Sequence, residues 1–209
     1  AGAAGLIALD RAAEGILCRA RPSLERTLSG PLGTDVDLGP YEGLRPLGLG
    51  IAIGPSRILP SAADRSELGL AGLEVGLAPL ASLRRLQPVL QITVHRLRGQ
   101  LQANEAGRYW TFGPLSGDGT LPRLGVQYRL ADPALLRFGP QQQTLELRSR
   151  GAVRLGEAFF STASELRWLD AEGVLRLDGQ GHWDRPRFRL RTRLDLLNLQ
   201  PLCAFFAPA

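Results

Sequence analysis

Hydrophobic and polar residues alternate strictly near the end of the chain. In residues 187–196, Phe188, Leu190, Leu194 and Leu196 occupy alternate positions and four arginines occupy most of the others. Successive side chains of a β-strand point to opposite faces, so the pattern predicts a strand with one apolar and one solvated face. The alternation recurs at 47–53, 73–77, 126–130, 145–147, 153–155 and 175–177. The sequence therefore predicts a mainly β protein with a long, largely antiparallel sheet.

The first part of the chain has a different period. Between Leu6 and Ser29 apolar residues recur every three or four positions, which indicates an amphipathic helix. We expect Pro22 to kink this helix or start a new turn, and Ser29-Gly30-Pro31 to end it. The predicted organisation is an N-terminal helix over 1–30 and a β segment over 31–209 without a further internal boundary.

Turn signals such as Gly54-Pro55, Asp118-Gly119 and Asp132-Pro133 divide the β segment. A short helix over 79–86 is expected to pack Leu80, Leu83 and Leu86, and no helical layer that could cover the sheet is predicted. The predicted strands lie near 34–39, 47–53, 68–77, 90–103, 108–112, 124–130, 144–149, 152–159, 163–169, 173–183 and 186–197.

A sheet with one apolar face must bury that face against a second sheet, against its own curled continuation, or against an apolar ligand. The apolar positions of the clearest strands are therefore the candidate ligand-lining residues. They are Leu49, Ile51, Ile53, Leu73, Val75, Leu77, Val126, Tyr128, Leu130, Leu175, Leu177, Phe188, Leu190, Leu194 and Leu196. The small residues Gly48, Gly50 and Ala52 would let the sheet bend in their strand.

Composition excludes several classes of protein. A hydrophobic fraction of 44% in 209 residues supports an ordered apolar layer. All 25 basic residues are arginine and the net charge is +5. The arginines stand singly on alternate strand positions beside acidic residues, which is typical of a solvated sheet face, so no nucleic-acid partner is expected.

Catalytic and metal-binding patterns are missing. His95 and His182 lie far apart in predicted strands, and no nucleophile elbow, phosphate-binding loop, dinucleotide fingerprint or zinc motif occurs. Cys18 and Cys203 lie in apolar surroundings without a second ligand nearby. They are interpreted as buried free thiols, with a bridge between them as the alternative. We expect no enzyme, no cofactor and no metal.

The first residue is not methionine, so the chain is expected to be a piece of a longer protein. Residues 1–9 are apolar, but a spanning helix needs about 20 such residues. This segment is interpreted as the last turns of a truncated membrane anchor or as a loose terminus.

Several stretches in order resemble the N-terminal periplasmic region of the AsmA-like family, in its cyanobacterial and plastid TamB branch. They are Arg21-Pro-Ser-Leu-Glu-Arg-Thr-Leu28, Val36-Asp-Leu-Gly-Pro-Tyr-Glu-Gly-Leu44, Leu49-Gly-Ile-Ala-Ile-Gly-Pro-Ser-Arg-Ile58, Leu73-Glu-Val-Gly-Leu-Ala-Pro-Leu80 with Leu83-Arg-Arg85, Ile92-Thr-Val94, and Gln102-Ala-Asn-Glu-Ala-Gly-Arg-Tyr-Trp110. The resemblance covers residues 20–112, and from 123 to 202 only the strand rhythm agrees.

The resemblance implies a protein anchored to the inner membrane, extending through the periplasm, or a plastid intermembrane space, as a β-sheet curled into a trough. It implies conduction of phospholipid acyl chains between inner and outer membranes and a role in outer-membrane protein assembly. The outer-membrane β-barrel partner would be met through parts that this chain lacks. Two alternatives remain: a structural or protein-binding β-scaffold that assists β-barrel insertion or protein translocation, and a closed barrel for one small ligand.

Overall fold

The protein is mainly β, with one long N-terminal helix and a sheet curled into an open half-barrel, which confirms the predicted fold class. The sheet is mixed rather than wholly antiparallel. The structure, a computed structural model, describes residues 2–32, 34–45, 49–60, 66–102, 124–138, 143–170, 173–182 and 187–195. The candidate residue Leu196 and the cysteine Cys203 lie outside these ranges, as does the strand predicted at 108–112.

The described residues form two α-helices, one 3₁₀ turn and a sheet of fourteen strands. The helices are α1 (Gly2–Leu32) and α2 (Pro79–Arg85), and the 3₁₀ turn is Leu155–Glu157. The strands are β1 (Val36–Asp37), β2 (Tyr41–Leu44), β3 (Gly50–Ile53), β4 (Ser56–Ile58), β5 (Glu67–Leu70), β6 (Gly72–Leu77), β7 (Val89–His95), β8 (Arg98–Leu101), β9 (Gly125–Leu130), β10 (Ala134–Phe138), β11 (Gln143–Arg154), β12 (Phe159–Trp168), β13 (Gly173–His182) and β14 (Arg187–Asp195).

Most of the short strands are halves of longer, interrupted strands. β1 and β2 pair with β4 and β3, which pair in turn with β5 and β6. β5 and β6 pair with β8 and β7, and these pair with β10 and β9. β10 and β9 then pair with opposite ends of the long strand β11, which continues into the hairpins β12, β13 and β14. Each long segment therefore lies beside the one that precedes it in the chain.

The pairing is antiparallel except at one junction. β7 with β9 and β8 with β10 run parallel, whereas the other described pairs are antiparallel. Parallel neighbours need a crossover connection rather than a tight turn. The segment between β8 and β9 is long enough for that, so the departure from an antiparallel sheet occurs where the longest connection lies.

The interruptions lie along one line across the sheet. They fall at Gly39-Pro40, Gly54-Pro55, Ala71 and Arg96, whose φ of 47° is left-handed. An extra residue in a strand bends it and increases its local twist. For this reason the strands predicted at 68–77 and 90–103 are each split in two, and β2, β4 and β10 were not predicted. Conversely, β11 runs unbroken through the gap predicted at 150–151.

Helix α1 covers the edge strands β1 and β2 through polar contacts. The Ser29 hydroxyl accepts the Val36 N–H at 3.1 Å, and the Glu25 carboxylate accepts the Leu38 N–H at 3.0 Å. The Asp10 carboxylate accepts the Leu44 N–H at 3.2 Å. A free sheet edge exposes unpaired backbone groups, and here helix side chains bind several of them.

Two features of the helices differ from the predictions. α1 runs through Pro22 and ends at Leu32, two residues beyond the predicted end at residue 30, and Cys18 is exposed rather than buried. α2 forms where predicted, but Leu80, Leu83 and Leu86 do not pack: they are exposed at 74%, 73% and 91%. A seven-residue helix held by its backbone and by Ser82 can sit at the end of a hairpin without burying its leucines.

Candidate functional site

The candidate lining residues come together on one face of the sheet. Residues directly opposite each other on neighbouring strands have side chains on the same face. One such row runs from Ile51 through Val75 and Ile92 to Tyr128. A second row runs from Leu166 through Leu175 to Leu194.

Following the registers from β3 to β14 assigns every candidate residue within these paired strands to this surface, which we call the apolar face. Leu49 lies just before β3, and its carbonyl accepts the Leu77 N–H at 2.7 Å. Whether these residues contact lipid stays a prediction.

The apolar face also contains residues that the sequence analysis did not select. The alternation Leu90-Gln-Ile-Thr-Val94 lies inside a predicted strand and was sufficient to find three of them. The alternations at 145–147 and 153–155 indicate the three on β11 in the same way, and the others required the register of β10 and β12. The additional residues are Leu90, Ile92, Val94, Leu136, Phe138, Leu145, Leu147, Val153, Phe160, Leu166 and Trp168.

The apolar face is closed at one end and open elsewhere. Phe138, Leu145 and Trp168 are buried together, with Leu166 and Leu175 packed against them. Most other side chains on this face are half-buried, and on β14 Phe188 and Leu190 are exposed at 66% and 64%. No layer of described residues covers the face from β6 to β14. Such a surface is far more apolar than an ordinary solvated sheet face.

A cluster of hydroxyl groups lies in the middle of the apolar face. The Tyr128 hydroxyl is 2.7 Å from Thr162 Oγ1 and 3.2 Å from Ser149 Oγ, and Ser149 Oγ is 2.9 Å from Ser164 Oγ. Because these hydroxyls bond one another, they present little unsatisfied polarity to an apolar ligand. The tyrosine ring lies over Gly151, where an added Cβ would come within 2.6 Å of it.

The opposite face, which we call the polar face, carries the arginines predicted to point outward. A cleft of about 640 Å³ opens on it, with a floor of small residues on β11 and β12. Arg129 and Arg150 stand on one side of this floor and Arg189 and Arg191 on the other. Elsewhere on this face Glu165 accepts a hydrogen bond from Arg176 at 2.9 Å, which lowers the pKa of the Glu165 carboxyl.

His95 takes part in an ion-pair cluster on the polar face. Its Nε2 is 3.0 Å from Glu74 Oε1, and Arg45 Nη2 is 2.8 Å from the same oxygen. Its Nδ1 is 3.9 Å from Asp132 Oδ2. The carboxylates orient the ring, but no serine, threonine or cysteine nucleophile is within hydrogen-bond reach of it among the described residues. Within the same ranges, no group of three His, Cys, Asp or Glu side chains could hold a metal ion.

Tyr41 and Asp10 join α1 to the sheet at its edge. The Tyr41 hydroxyl donates a hydrogen bond of 2.6 Å to Asp10 Oδ1. Burial of the phenol, the bond to Asp10, and the negative charges of Asp10 and Glu14 raise the pKa of Tyr41 to about 12. On the same helix, the hydrogen bond from Arg21 and that from the Leu38 N–H lower the pKa of Glu25, against the effect of burial.

Across the described part of the chain, no helix has the length and apolar character needed to cross a membrane. No protein-family model, no curated protein and no solved structure matches the chain.

Proposed function

We propose that this chain is a segment of an envelope-spanning, bridge-like protein that conducts phospholipid between two membranes, with the acyl chains on the apolar face of the curled sheet. The observation that carries the proposal is the continuous, half-exposed apolar face from β6 to β14. The resemblance to the TamB branch of the AsmA-like family supports the same function and a location in the periplasm or a plastid intermembrane space. In this proposal the protein transfers lipid without catalysing a reaction.

The energetics of lipid transfer explain why such a face is needed. Moving a phospholipid with two chains of about 16 carbons into water costs on the order of 0.8 kcal/mol per methylene, or roughly 25 kcal/mol in total. A surface that stays apolar along the path removes most of this barrier. From β6 to β14 the sheet has six strand spacings of about 4.8 Å, so this segment contributes roughly 29 Å of path.

The side chains on the apolar face suit a mobile ligand rather than a fixed one. Aliphatic residues recur along the rows, and the hydroxyls of the cluster around Tyr128 bond each other. No charged side chain is assigned by register to this face between β6 and β14. An acyl chain could therefore slide past successive rows without meeting an unpaired charge, whose desolvation would be costly.

Photo-crosslinking with a phospholipid that carries a diazirine on its acyl chain tests the proposal directly. We expect crosslinks in peptides that contain apolar-face residues, together with lipid in solvent extracts of the purified chain at more than one molecule per protein. Crosslinks confined to the polar face would contradict the proposal. A single tightly bound molecule would instead favour a closed ligand site.

A second candidate function rests on β14. Its residues are all exposed, and among the described strands it pairs only with β13. Such an open edge can accept a further strand, as in a scaffold that binds proteins by strand addition. Backbone N-methylated peptides that match a client strand would compete with this mode but would leave acyl-chain crosslinking unchanged.

A further inference from the structure

The three leucines of α2 form an apolar patch that no packing among the described residues explains. Leu80, Leu83 and Leu86 are exposed at 74%, 73% and 91%. Leu80 and Leu83 are three residues apart on one side of the helix, and Leu86 follows at its C-terminal end. Scattered exposed leucines are ordinary, but three in one turn-sized element are a recognised mark of an interaction surface. We define these three residues as the leucine patch.

The backbone at Leu86 adds a second observation. Its φ of 51° and ψ of 33° are left-handed, at the helix end where glycine is the usual residue. A non-glycine residue in this conformation is unfavourable because its Cβ approaches the carbonyl oxygen. The chain nevertheless places there a leucine side chain that is almost wholly in solvent, so its role does not lie in packing within the described protein.

The leucine patch lies on the rim of the sheet that α1 also reaches. α2 connects the end of β6 to the start of β7, so this rim is the edge formed by those strand ends. α1 runs alongside β1 and β2. Its Ser29 bonds Val36 at the start of β1, and its Asp10 bonds Leu44 at the end of β2, so the beginning of α1 points toward the same rim. The helix from Ser29 to Asp10 is about 28 Å long, which matches the length of about 26 Å from Val36 to Leu44 in the strands.

Beyond Asp10, eight more residues of α1 extend roughly 12 Å past the hydrogen bond that Asp10 makes with the sheet. Their described large side chains, Ile7 and Leu9, are exposed. Two separate apolar elements, the start of α1 and the leucine patch, thus project from one rim. The apolar face ends at this rim with Leu77, which is also exposed, so the leucine patch continues that face outward.

The charges around the leucine patch indicate what it contacts. Arg84 and Arg85 follow Leu83 in the last turn of α2, and neither has an ion-pair partner within the described residues. No acidic residue occurs between Leu77 and Leu90. Apolar side chains flanked by arginines suit the headgroup region of a bilayer that contains anionic lipid, where leucine enters the acyl boundary and arginine binds phosphate. A protein groove would not require this combination.

We infer that α2 inserts its leucine patch into the surface of an anionic membrane and so holds this rim of the apolar face against a bilayer. The inference rests on the proposed function for its purpose, while membrane binding by α2 is a separate, measurable property. It identifies the membrane-facing rim of the sheet, which is the rim of α2 and not the opposite one.

Vesicle flotation tests the inference with the full chain. Anionic vesicles contain phosphatidylcholine with about 30% phosphatidylglycerol, and neutral vesicles contain phosphatidylcholine alone. The leucine variant combines Leu80→Ser, Leu83→Ser and Leu86→Ser. The arginine variant combines Arg84→Gln and Arg85→Gln. We expect the leucine variant to bind the anionic vesicles about a hundredfold more weakly, because each inserted leucine contributes roughly a factor of five or more. The arginine variant should bind about thirtyfold more weakly, and only on anionic vesicles, because each arginine contributes about 1 kcal/mol there.

Leu59 and Leu169 provide the matched control. They are exposed leucines at the opposite rim, and Leu59→Ser with Leu169→Ser should leave flotation unchanged. A thermal melt of each variant checks folding. A fluorophore attached at Leu83→Cys, with Cys18 and Cys203 replaced by serine, should be quenched by lipids brominated near the headgroup. The same fluorophore at Leu169→Cys should not.

Each failure points to a different error. The inference is overturned if the folded leucine variant floats with anionic vesicles as well as the wild type does and the fluorophore at position 83 is not quenched. This holds even if the chain retains lipid. Loss of a dimer in the leucine variant, with flotation unchanged, would mean that the patch binds a second copy. If the patch binds vesicles but the chain never crosslinks to acyl chains, the inference stands and the proposed lipid path fails.

Discussion

Leu190 and Arg191 are neighbours in β14 whose side chains lie on opposite faces of the sheet, and changing each in turn tests the proposed lipid path. Leu190→Arg places a charge on the apolar face, and Arg191→Gln removes one from the polar face. The register pairs Leu190 with Gly179 and Arg191 with Asp178. The Leu190 side chain lies beside Gly179, 3.5 Å from where a Cβ on that glycine would be. A longer side chain can therefore reach across β13.

The stability cost of Leu190→Arg follows from its exposure. Full burial of a leucine side chain contributes about 1.5–3 kcal/mol, and Leu190 is 64% exposed, so roughly a third of that is lost. We expect the free energy of unfolding to fall by about 0.5–1 kcal/mol. A buried residue such as Phe138 behaves differently, because truncating it to alanine costs about 3–5 kcal/mol. The arginine variant should therefore stay folded.

The effect on lipid should be much larger than the effect on folding. Desolvating a guanidinium beside an acyl chain costs several kcal/mol unless it turns to water, and either result interrupts the apolar path at β14. We expect Leu190→Arg to lower lipid retained per protein, measured by mass spectrometry of solvent extracts, by at least about fivefold. Arg191→Gln should keep the wild-type amount, because an exposed charge contributes little. Thermal melts of both variants control for folding.

Two outcomes would refute the reasoning. If the folded Leu190→Arg protein retains the wild-type amount of lipid, acyl chains do not pass along β14. If Arg191→Gln abolishes retention while Leu190→Arg does not, lipid is held by its phosphate on the polar face. A large loss of stability in Leu190→Arg would show that the apolar face near β14 is a closed core, which favours the scaffold.

Three further predictions concern the fold. Tyr41→Phe should lower the free energy of unfolding by about 1.5–3 kcal/mol, because a hydrogen bond to a charged group is lost. In the wild type, ultraviolet titration should find the pKa of Tyr41 at about 12, above its unfolded value of 10.0. The stabilisation by Tyr41 is therefore complete below pH 10 and is lost as the pH rises from 10 to 12. Glu25 has a lowered pKa, so its contribution to the free energy of unfolding is present above pH 4.5 and is lost as the pH falls. In denaturant melts at a series of pH values, Glu25→Gln should therefore lose less stability in acid than the wild type. Ala158 has a left-handed φ of 48°. Ala158→Gly should therefore raise the free energy of unfolding by about 0.5 kcal/mol, which a thermal melt would show as a slightly higher midpoint. The Tyr41–Asp10 hydrogen bond would be contradicted if Tyr41→Phe melts like the wild type. The role of Glu25 would be contradicted by an unchanged acid profile of Glu25→Gln, and the strain at Ala158 by a lower midpoint of Ala158→Gly.

The sequence by itself determined the local periods and therefore the face that each strand residue occupies. Alternation over a few residues decides which side chains point the same way, because the period of a strand is two whatever its neighbours are. Leu175 and Leu177 in β13, like Leu190 and Leu194 in β14, could be assigned to one face before any pairing was known. The helix at the N-terminus and the position of α2 were predictable for the same reason.

Tertiary structure decided what depends on partners distant in the sequence. The parallel junction between β7 and β9, the line of strand interruptions and the hydroxyl cluster around Tyr128 exist only once strand order and register are set. Register involves residues far apart in the chain, and no local pattern encodes which strand lies beside which. The exposure of the leucine patch is the same kind of fact. A leucine at helical spacing predicts a buried side chain, and only the three-dimensional arrangement leaves Leu80, Leu83 and Leu86 exposed beside the described part of the chain.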